Sequence, residues 1–316
     1  MKNGYLKVLV NVAILLAILV TMDVTIGWAG ERYMRWLNQK PRNGDAALVN
    51  YSLNAAVPDV AILGSSTAIC HYDPDIIHDS LWAWQKKDYS VFNMGISNQR
   101  LTYDYYGLKC LLDRTTPSIV IADVWATYIG NDPSQSFYAF MPYTNINPNI
   151  KEMLKSHNQL TFITKSNLYC FNTEIIKLAL SAFKAPGENG YLKSKVEIKE
   201  VIKQTEKDTT SLLPLSIEEF DEMLALAKAR DVYLFVVMSP TLRSSDTTSL
   251  SYRYIKEKCA TENVPFLDYS NDEKYYQTHY FRDRTHMNYY GAELFTKDLM
   301  KDIKKYICNA NKARII

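Results

Sequence analysis

Five short runs of apolar residues recur along the chain after residue 57, separated by longer amphipathic segments. They cover residues 60–64, 89–95, 117–125, 231–240 and 264–270. Their apolar positions are continuous rather than alternating, a pattern typical of parallel strands that are covered on both faces. The sequence therefore predicts a buried parallel sheet of five strands.

The segments between these runs have apolar residues at helical spacing. Asp73 and Pro74 form a typical helix start, a capping residue followed by proline in the first turn. Ser216 and Glu219 have the spacing of a capping box. The predicted helices cover residues 73–84, 102–114, 216–231, 250–263 and 288–307. This alternation of strands and helices predicts a doubly wound α/β domain.

The interval between the third and fourth predicted strands is far longer than a crossover helix requires. It contains an apolar segment, residues 167–183, followed by a polar, lysine-rich segment, residues 184–210. We interpret residues 130–215 as a partly helical insertion. Its role stays open between decoration of the domain and a lid or partner surface.

The N-terminal segment is the most apolar part of the chain. No charge occurs from Val8 to Met22, and Asp23 is the only charged residue before Glu31. A helix of about 20 residues crosses a bilayer core, so residues 1–30 are predicted to form a membrane anchor. A cleaved signal peptide is the alternative, because small residues surround Trp28, and a buried core helix is a second one. Basic residues on both sides leave the orientation open.

The remaining boundaries follow from these segments. Residues 31–57 are predicted to be a linker, residues 58–308 the α/β domain and residues 309–316 a tail.

Composition and charge exclude several functional classes. The 36 basic and 34 acidic residues nearly cancel, which argues against an electrostatic nucleic-acid binder. The five cysteines are too widely spaced for a paired zinc or redox motif, and we interpret them mostly as small buried hydrophobic residues. Whether any two form a disulfide stays open. They are Cys70, Cys110, Cys170, Cys259 and Cys308.

Two serines stand where the first predicted strand ends. Ligands gather at the carboxyl ends of strands in open α/β sheets, and Ser65 and Ser66 follow Gly64 at such an end. A serine nucleophile needs a base. Asp283 precedes His286 by three residues, a spacing that allows the carboxylate to orient the imidazole as serine catalysis requires. The other four histidines are interpreted as surface or packing residues: His71, His78, His157 and His279.

Together these motifs resemble the SGNH/GDSL hydrolase superfamily. The resemblance covers residues 57–307 without the insertion, and it implies a flavodoxin-like three-layer α/β/α sandwich with a five-stranded parallel sheet. It is closest to the membrane-anchored envelope branch that includes the DltD protein of teichoic-acid D-alanylation.

The resemblance also assigns roles to individual residues. Ser66 takes the place of the nucleophile, with His286 as the base and Asp283 as its orienting carboxylate. The backbone N–H groups of Ser66 and Gly95 are expected to form the oxyanion hole, and Asn98 is a further donor candidate. No metal or organic cofactor is implied.

The chain departs from the family in the third motif. The family has Gly-x-Asn-Asp directly after the third strand, whereas this chain has residues 122–128, Ala-Asp-Val-Trp-Ala-Thr-Tyr, in that place. A Gly-Asn-Asp triplet at residues 130–132 comes several residues later. The asparagine that would complete the oxyanion hole is therefore unassigned.

The resemblance implies a membrane-anchored serine esterase or O-acyltransferase that acts on acyl esters, acetyl foremost, of cell-envelope glycans. The expected partners are an acylated polysaccharide, a membrane-bound O-acyltransferase and the membrane itself, with no nucleic acid. The expected location is the bacterial inner membrane, crossed once, with the catalytic domain outside the cytoplasm.

Two other functions stay open. An inactive accessory protein would bind a glycan or a membrane-bound acyltransferase, with the serine only capping a helix. A phosphate-binding flavodoxin-like domain is less supported, because the loop after the first strand has one glycine and no lysine.

Overall fold

The computed structural model of the chain describes residues 2–42, 44–130, 137–172, 174–184, 189–199, 204–205, 207 and 211–313. The chain forms two compact units. The first comprises Met1–Tyr51 and Phe137–Ala185, and the second comprises Ser52–Ser136 and Pro186–Ile316. The predicted insertion is thus shared between the two units.

The second unit is built on a five-stranded parallel sheet. Its strands are β1 (Val60–Gly64), β2 (Val91–Asn93), β3 (Ile119–Asp123), β4 (Tyr233–Met238) and β5 (Phe266–Asp268). Their order is β2-β1-β3-β4-β5, with every neighbouring pair parallel. All five predicted strands are confirmed, each within its predicted bounds. The order is that of a flavodoxin-like doubly wound sheet.

Helices cover both faces of this sheet, which gives the predicted three-layer α/β/α architecture. On one face lie α3 (Ser66–His71), α4 (Pro74–Gln85) and α12 (Tyr289–Ala313). On the other lie α5 (Leu101–Leu112), α10 (Pro214–Ala229) and α11 (Leu250–Glu262). The short helix α6 (Thr127–Gly130) follows β3. The continuous apolar runs are explained by this double cover, since every residue of β1 and β3 is buried.

The first unit contains the N-terminal helix and the first half of the predicted insertion. Helix α1 spans Lys2–Leu37. Helix α2 spans Asp45–Asn54, and the boundary between the two units falls within it, after Tyr51. Much of the predicted linker is therefore helical. The other helices of this unit are α7 (Pro148–Ser156), α8 (Asn167–Phe171) and α9 (Glu174–Ser181). Helix α1 is long and apolar enough to cross a membrane over Gly4–Leu37.

One of the two predicted helix starts is confirmed. The Asp73 side chain caps α4 by accepting a hydrogen bond from the N–H of Asp75 at 3.0 Å. The capping box at Ser216 is wrong, because α10 begins two residues earlier, at Pro214. Glu219 therefore lies inside the helix, where its carboxylate accepts a hydrogen bond from the Thr102 hydroxyl at 2.7 Å.

The cysteines are all free thiols. Cys70, Cys110, Cys170 and Cys259 are buried and Cys308 is half-buried, which confirms their interpretation as mostly small buried residues.

Helix α5 carries one buried acidic residue with unusual surroundings. The Asp104 side chain is fully buried, and neither of its carboxyl oxygens has a hydrogen-bond partner among the described residues. Burial, together with the nearby charge of Asp123, raises the pKa of Asp104 well above its usual value. The folded protein therefore keeps this group protonated at a pH where the unfolded chain has lost the proton.

The protonation of Asp104 makes a testable prediction about stability. Because the carboxyl pKa is higher in the folded protein, the free energy of unfolding falls as pH rises above the pKa of the unfolded chain. Asp104→Asn removes the titrating group and with it this loss of stability. We expect the free energy of unfolding of Asp104→Asn to rise relative to that of the wild type between pH 3 and pH 8. The pH-dependent part of the difference should vanish only below the unfolded pKa of an aspartate, 3.8, so pH 3 is the reference. Urea unfolding of the full chain in detergent measures both values.

The matched control is Asp113→Asn, at the exposed end of the same helix. It should follow the wild type at both pH values. A difference between Asp104→Asn and the wild type that does not change with pH would contradict the prediction.

Candidate active site

The turn between β1 and α3 depends on Gly64. Its φ is +143°, and a Cβ added there would lie 2.8 Å from the Cβ of Ala68 and 3.0 Å from that of Asp123. Only glycine fits this backbone conformation and this space. The turn places Ser65 at the N-cap of α3 and Ser66 at its first position. The half-buried Ser66 thus lies at the carboxyl edge of the sheet.

His286 and Asp283 reach the same edge from the loop between β5 and α12. Ser66 Oγ lies 2.7 Å from Nε2 of His286. The other ring nitrogen, Nδ1, lies 2.9 Å from Oδ2 of Asp283. The sequence-predicted nucleophile, base and orienting carboxylate therefore form one hydrogen-bonded chain, although they come from opposite ends of the domain sequence.

Hydrogen bonds between the Asp283 carboxylate and backbone N–H groups hold the loop that carries His286. Asp283 Oδ1 accepts hydrogen bonds from the N–H groups of Thr285 and His286, both at 2.9 Å. A short antiparallel bridge between Phe281 and Met287 closes the loop. The spacing of Asp283 and His286 thus lets one carboxylate shape the loop and contact the imidazole.

The charge on Asp283 determines the imidazole tautomer. Burial acts to raise the pKa of Asp283, but the hydrogen bonds from Thr285, His286 and the imidazole outweigh it, and the net pKa is lowered. An ionised carboxylate accepts a hydrogen bond from Nδ1–H, so the proton of the neutral ring stays on Nδ1 and Nε2 carries the lone pair that faces Ser66. This arrangement can take the hydroxyl proton of Ser66 as the oxygen attacks an electrophile.

The surroundings of Gly95 correct its expected role as an oxyanion donor. Its N–H donates to Oδ1 of Asn93 at 3.0 Å. The Asn93 amide is itself held by the carbonyl oxygens of Ala68 and Tyr72, at 2.7 and 3.1 Å. A Cβ on Gly95 would lie 2.9 Å from the Cβ of Ala68, so the glycine serves close packing against α3. Its N–H is therefore engaged within the chain in this conformation.

Asn98, the other predicted donor, lies in an exposed turn after β2 with a φ of 60°. Within the described part of the chain, no hydrogen bond joins its side chain to Ser66. Of the later Gly-Asn-Asp triplet, Gly130 ends α6, whereas Asn131 and Asp132 lie outside the described residues.

The position that departs from the family motif holds a structural aspartate. Asp123 ends β3 and is fully buried. Its carboxylate accepts hydrogen bonds from the hydroxyls of Thr67 and Tyr72, at 2.5 and 2.7 Å, and from the N–H of Ser239 at 3.2 Å. Asp123 thus stabilises the position of the helix that carries Ser66, and its carboxylate is bonded within the fold.

His71 is a site residue that the sequence did not reveal. It is fully buried, with Nδ1 2.9 Å from the Ser239 hydroxyl. The N–H of Met287, next to His286, donates to Nε2 at 3.0 Å, and the Thr285 carbonyl oxygen lies 3.1 Å from the same nitrogen. Burial lowers the pKa of His71 to about 3, so the ring is neutral and Nδ1 donates to Ser239. A lone histidine in a helix gives no signal for such distant partners.

No protein-family model and no curated protein matches the sequence. Similar solved structures include the psychrotrophic esterase EstA from Pseudoalteromonas sp., at 10% identity and a TM-score of 0.43, over 78% of this chain and 97% of that one. The lipase/acylhydrolase from Enterococcus faecalis is similar at 14% identity and a TM-score of 0.39, over 78% and 96%. A catalytic mutant of the acetylxylan esterase Axe2 from Geobacillus stearothermophilus follows at 10% identity and a TM-score of 0.42, over 77% and 93%. Likenesses at this level decide neither the reaction nor the substrate of this chain.

The contacts of His71 make it a positioning residue for His286. His71→Leu keeps most of the buried volume but removes the hydrogen bonds to Ser239 and Met287. We expect covalent labelling of Ser66 by a fluorophosphonate to slow about 10- to 100-fold, since a misplacement near 1 Å has that effect on reactions at such a site. The labelling rate and the melting temperature are measured on the same sample.

The control for this change is His78→Leu, which alters a half-exposed histidine paired with Asp79 and Asp88. It should label like the wild type. Unchanged labelling of a folded His71→Leu protein would show that the loop keeps its geometry without this contact.

Proposed function

We propose that this chain is a membrane-anchored serine esterase or O-acyltransferase of the SGNH type. One observation carries the proposal: Ser66 Oγ lies 2.7 Å from a ring nitrogen of His286, and Asp283 is bonded to the other nitrogen. A hydroxyl, a base and an orienting carboxylate in this order are the requirements of nucleophilic acyl transfer.

The reaction proceeds in two steps. Ser66 Oγ attacks the ester carbonyl carbon while its proton moves to Nε2 of His286, and Asp283 stabilises the imidazolium. The imidazolium then protonates the departing alkoxide as the ester bond breaks, which leaves the acyl group on Ser66. In the second step water or a sugar hydroxyl gives its proton to His286 as its oxygen attacks the acyl carbon. The imidazolium then returns the proton to Ser66 Oγ as the acyl–serine bond breaks. The backbone N–H of Ser66 is the proposed oxyanion donor.

The proposed substrate is an acyl ester, acetyl foremost, of a cell-envelope glycan, as the resemblance to the envelope branch implies. The exposure of the site is compatible with an ester on a polymer, since the side chains of Asp283 and His286 are 49% and 21% exposed. An acylated polysaccharide and a membrane-bound O-acyltransferase are the proposed partners. The proposed location is the bacterial inner membrane, with the catalytic domain outside the cytoplasm.

The contacts of α1 favour a retained anchor over a cleaved signal peptide. Asp23 accepts hydrogen bonds from the Ser166 hydroxyl at 2.6 Å and the Leu168 N–H at 2.9 Å. Further along the helix, Gly30 leaves room for the Phe171 ring, which would lie 2.5 Å from an added Cβ. Cleavage near Ala29 would remove Asp23, which is bonded to the start of α8, and would expose the apolar face of α8 that packs on α1.

An inactive accessory protein remains the alternative function. The observation that favours it is the engagement of the Gly95 N–H by Asn93, which leaves the proposed oxyanion hole with the Ser66 N–H alone. In that case the chain would bind a glycan or a membrane-bound acyltransferase without catalysing a reaction.

Hydrolysis of p-nitrophenyl acetate by the full chain tests the proposed reaction. Ser66→Ala should lower the turnover at least about 10³-fold, because the nucleophile and its base act as a unit, and should leave the melting temperature nearly unchanged. His286→Ala should do the same. The matched control is the neighbouring Ser65→Ala, which should lose far less activity. A folded wild type that neither turns over esters nor reacts with a fluorophosphonate would favour the accessory function.

The fate of the N-terminal helix can be measured directly. We expect protein purified from membranes to keep residues 1–30, because α8 packs on the part of α1 beyond Met22. The intact mass gives the answer, and a chain that begins near Gly30 would show a cleaved signal peptide instead.

A further inference from the structure

Within the first unit, α8 packs beside α1 at the end of its uncharged run. The N-terminus of α8 lies at the level of Asp23, which is bonded to Ser166 and Leu168. Asn167 lies against Gly27, and Phe171 lies against Gly30. Because later residues of α8 meet later residues of α1, the two helices run in the same direction.

The contacts of Ser166 determine where the chain before α8 lies. Ser166 is bonded to Asp23 through its hydroxyl, and its N–H donates to the Ile163 carbonyl oxygen at 3.0 Å. The 3₁₀ turn Ile163–Lys165 and the preceding Phe162 therefore lie close to the level of Asp23, beside the start of α8, where the Cys170 thiol donates to the Thr164 carbonyl oxygen at 3.2 Å. We call Phe162–Lys165 the apolar turn.

The apolar turn presents two large hydrophobic side chains to the outside. Phe162 is 83% exposed and Ile163 is 56% exposed. Between the exposed positions and α8, Thr164 is buried, and its hydroxyl donates to the Thr161 carbonyl oxygen at 2.7 Å and accepts from the Thr161 N–H at 3.0 Å. The turn is therefore held in shape while its apolar residues point away from the unit.

The charge beside these residues suits a lipid boundary. Lys165 Nζ lies 5.6 Å from the centre of the Phe162 ring. A lysine whose stem follows an apolar residue while its ammonium stays near water is a typical arrangement at membrane interfaces.

The length of the uncharged run places this turn at the bilayer surface. At a rise of 1.5 Å per residue, Val8–Met22 is about 22 Å long, shorter than the hydrocarbon core of about 30 Å. A hydrocarbon core centred on this run extends a few ångströms past each of its ends and so reaches Asp23 and its surroundings, unless the bilayer thins locally. In either case the apolar turn lies close to the boundary between lipid tails and headgroups.

We propose that Phe162 and Ile163 insert into the membrane that α1 spans, so that the first unit has a second lipid contact beside its anchor. The inference rests on the proposed anchoring by α1. The occupant is the headgroup–acyl boundary of that bilayer. The α1–α8 contact holds the turn at the required level without any partner protein.

Spin-label accessibility in vesicles tests this contact. Phe162→Cys and Ile163→Cys are labelled with a nitroxide in the full chain, in a Cys308→Ser background because the other four thiols are buried. The protein is placed in vesicles of phosphatidylcholine and phosphatidylglycerol. Collision with oxygen, which enters lipid, is compared with collision with a water-soluble nickel chelate.

Phe183→Cys is the matched control. Phe183 is 87% exposed, like Phe162, but it follows Ala182, whose carbonyl oxygen is bonded to Arg42 at 3.1 Å, beyond the end of α1. Leu19→Cys, inside the uncharged run of α1, is the lipid reference. We expect the ratio of oxygen to nickel accessibility at Phe162 and Ile163 to exceed that at Phe183 several-fold and to approach that at Leu19.

The outcomes separate the two proposals. If Leu19 is in lipid while Phe162 and Ile163 match Phe183, the anchor holds and the second contact is overturned. If Leu19 itself is open to nickel, the proposed anchoring fails and the inference fails with it. If the labels at Phe162 and Ile163 are shielded from both reagents, a protein covers the turn, either a second copy or a partner, and the lipid contact is overturned.

Discussion

A buried carboxylate at the end of β3 holds together the elements that meet at the site. Asp123 is fully buried, and burial raises its pKa even though it accepts hydrogen bonds from Thr67, Tyr72 and Ser239. These donors follow two different strands, so one carboxylate joins the turn after β1 to the end of β4. Burying an ionised carboxylate is costly unless its oxygens are bonded, and the partners of Asp123 are the residues that set the position of α3. The geometry at Ser66 depends on this cluster.

The cluster extends from Asp123 to the loop that carries His286. Ser239 contacts both the Asp123 carboxylate and the His71 ring, and the ring accepts the backbone N–H of Met287. The neutral state of His71 matters here, because a protonated ring could not accept that bond. The buried hydrogen bonds of Asp123, Ser239 and His71 thus stabilise the short distance between Ser66 and His286. The more exposed Asp283 holds the loop on its solvent-facing side. Rigid support of this kind keeps a hydroxyl and its base aligned without substrate.

Features set by neighbouring residues, such as strands and short motif spacings, could be predicted from the sequence. Hydrogen bonds between residues far apart in the sequence could not. Continuous apolar runs were sufficient to predict the five strands, because a doubly covered strand is apolar at every position. Ser66, Asp283 and His286 could be predicted because strand ends and short spacings are local features. The engagement of Gly95 by Asn93 and the buried bonds of His71 depend on chain segments far apart in the sequence. Likewise, the start of α10 was misplaced because Pro214 begins the helix before the apparent capping box.

Helix α1 combines two physical environments in one continuous element. The side chains of its first part are exposed, from Tyr5 at 73% to Val20 at 63%, along the run that is long and apolar enough to cross a membrane. Its last part is a packing surface, where Met34 and Leu37 are buried and the Met34 carbonyl oxygen accepts a hydrogen bond from Asn50. Asp23 lies between these two parts of the helix. Its carboxylate accepts hydrogen bonds from Ser166 and Leu168 at the start of α8. An acidic residue within an apolar helix is costly in lipid unless it is bonded, so its position is explained by the neighbouring helix. The same bonds make the first unit dependent on a segment that a signal peptide would lose.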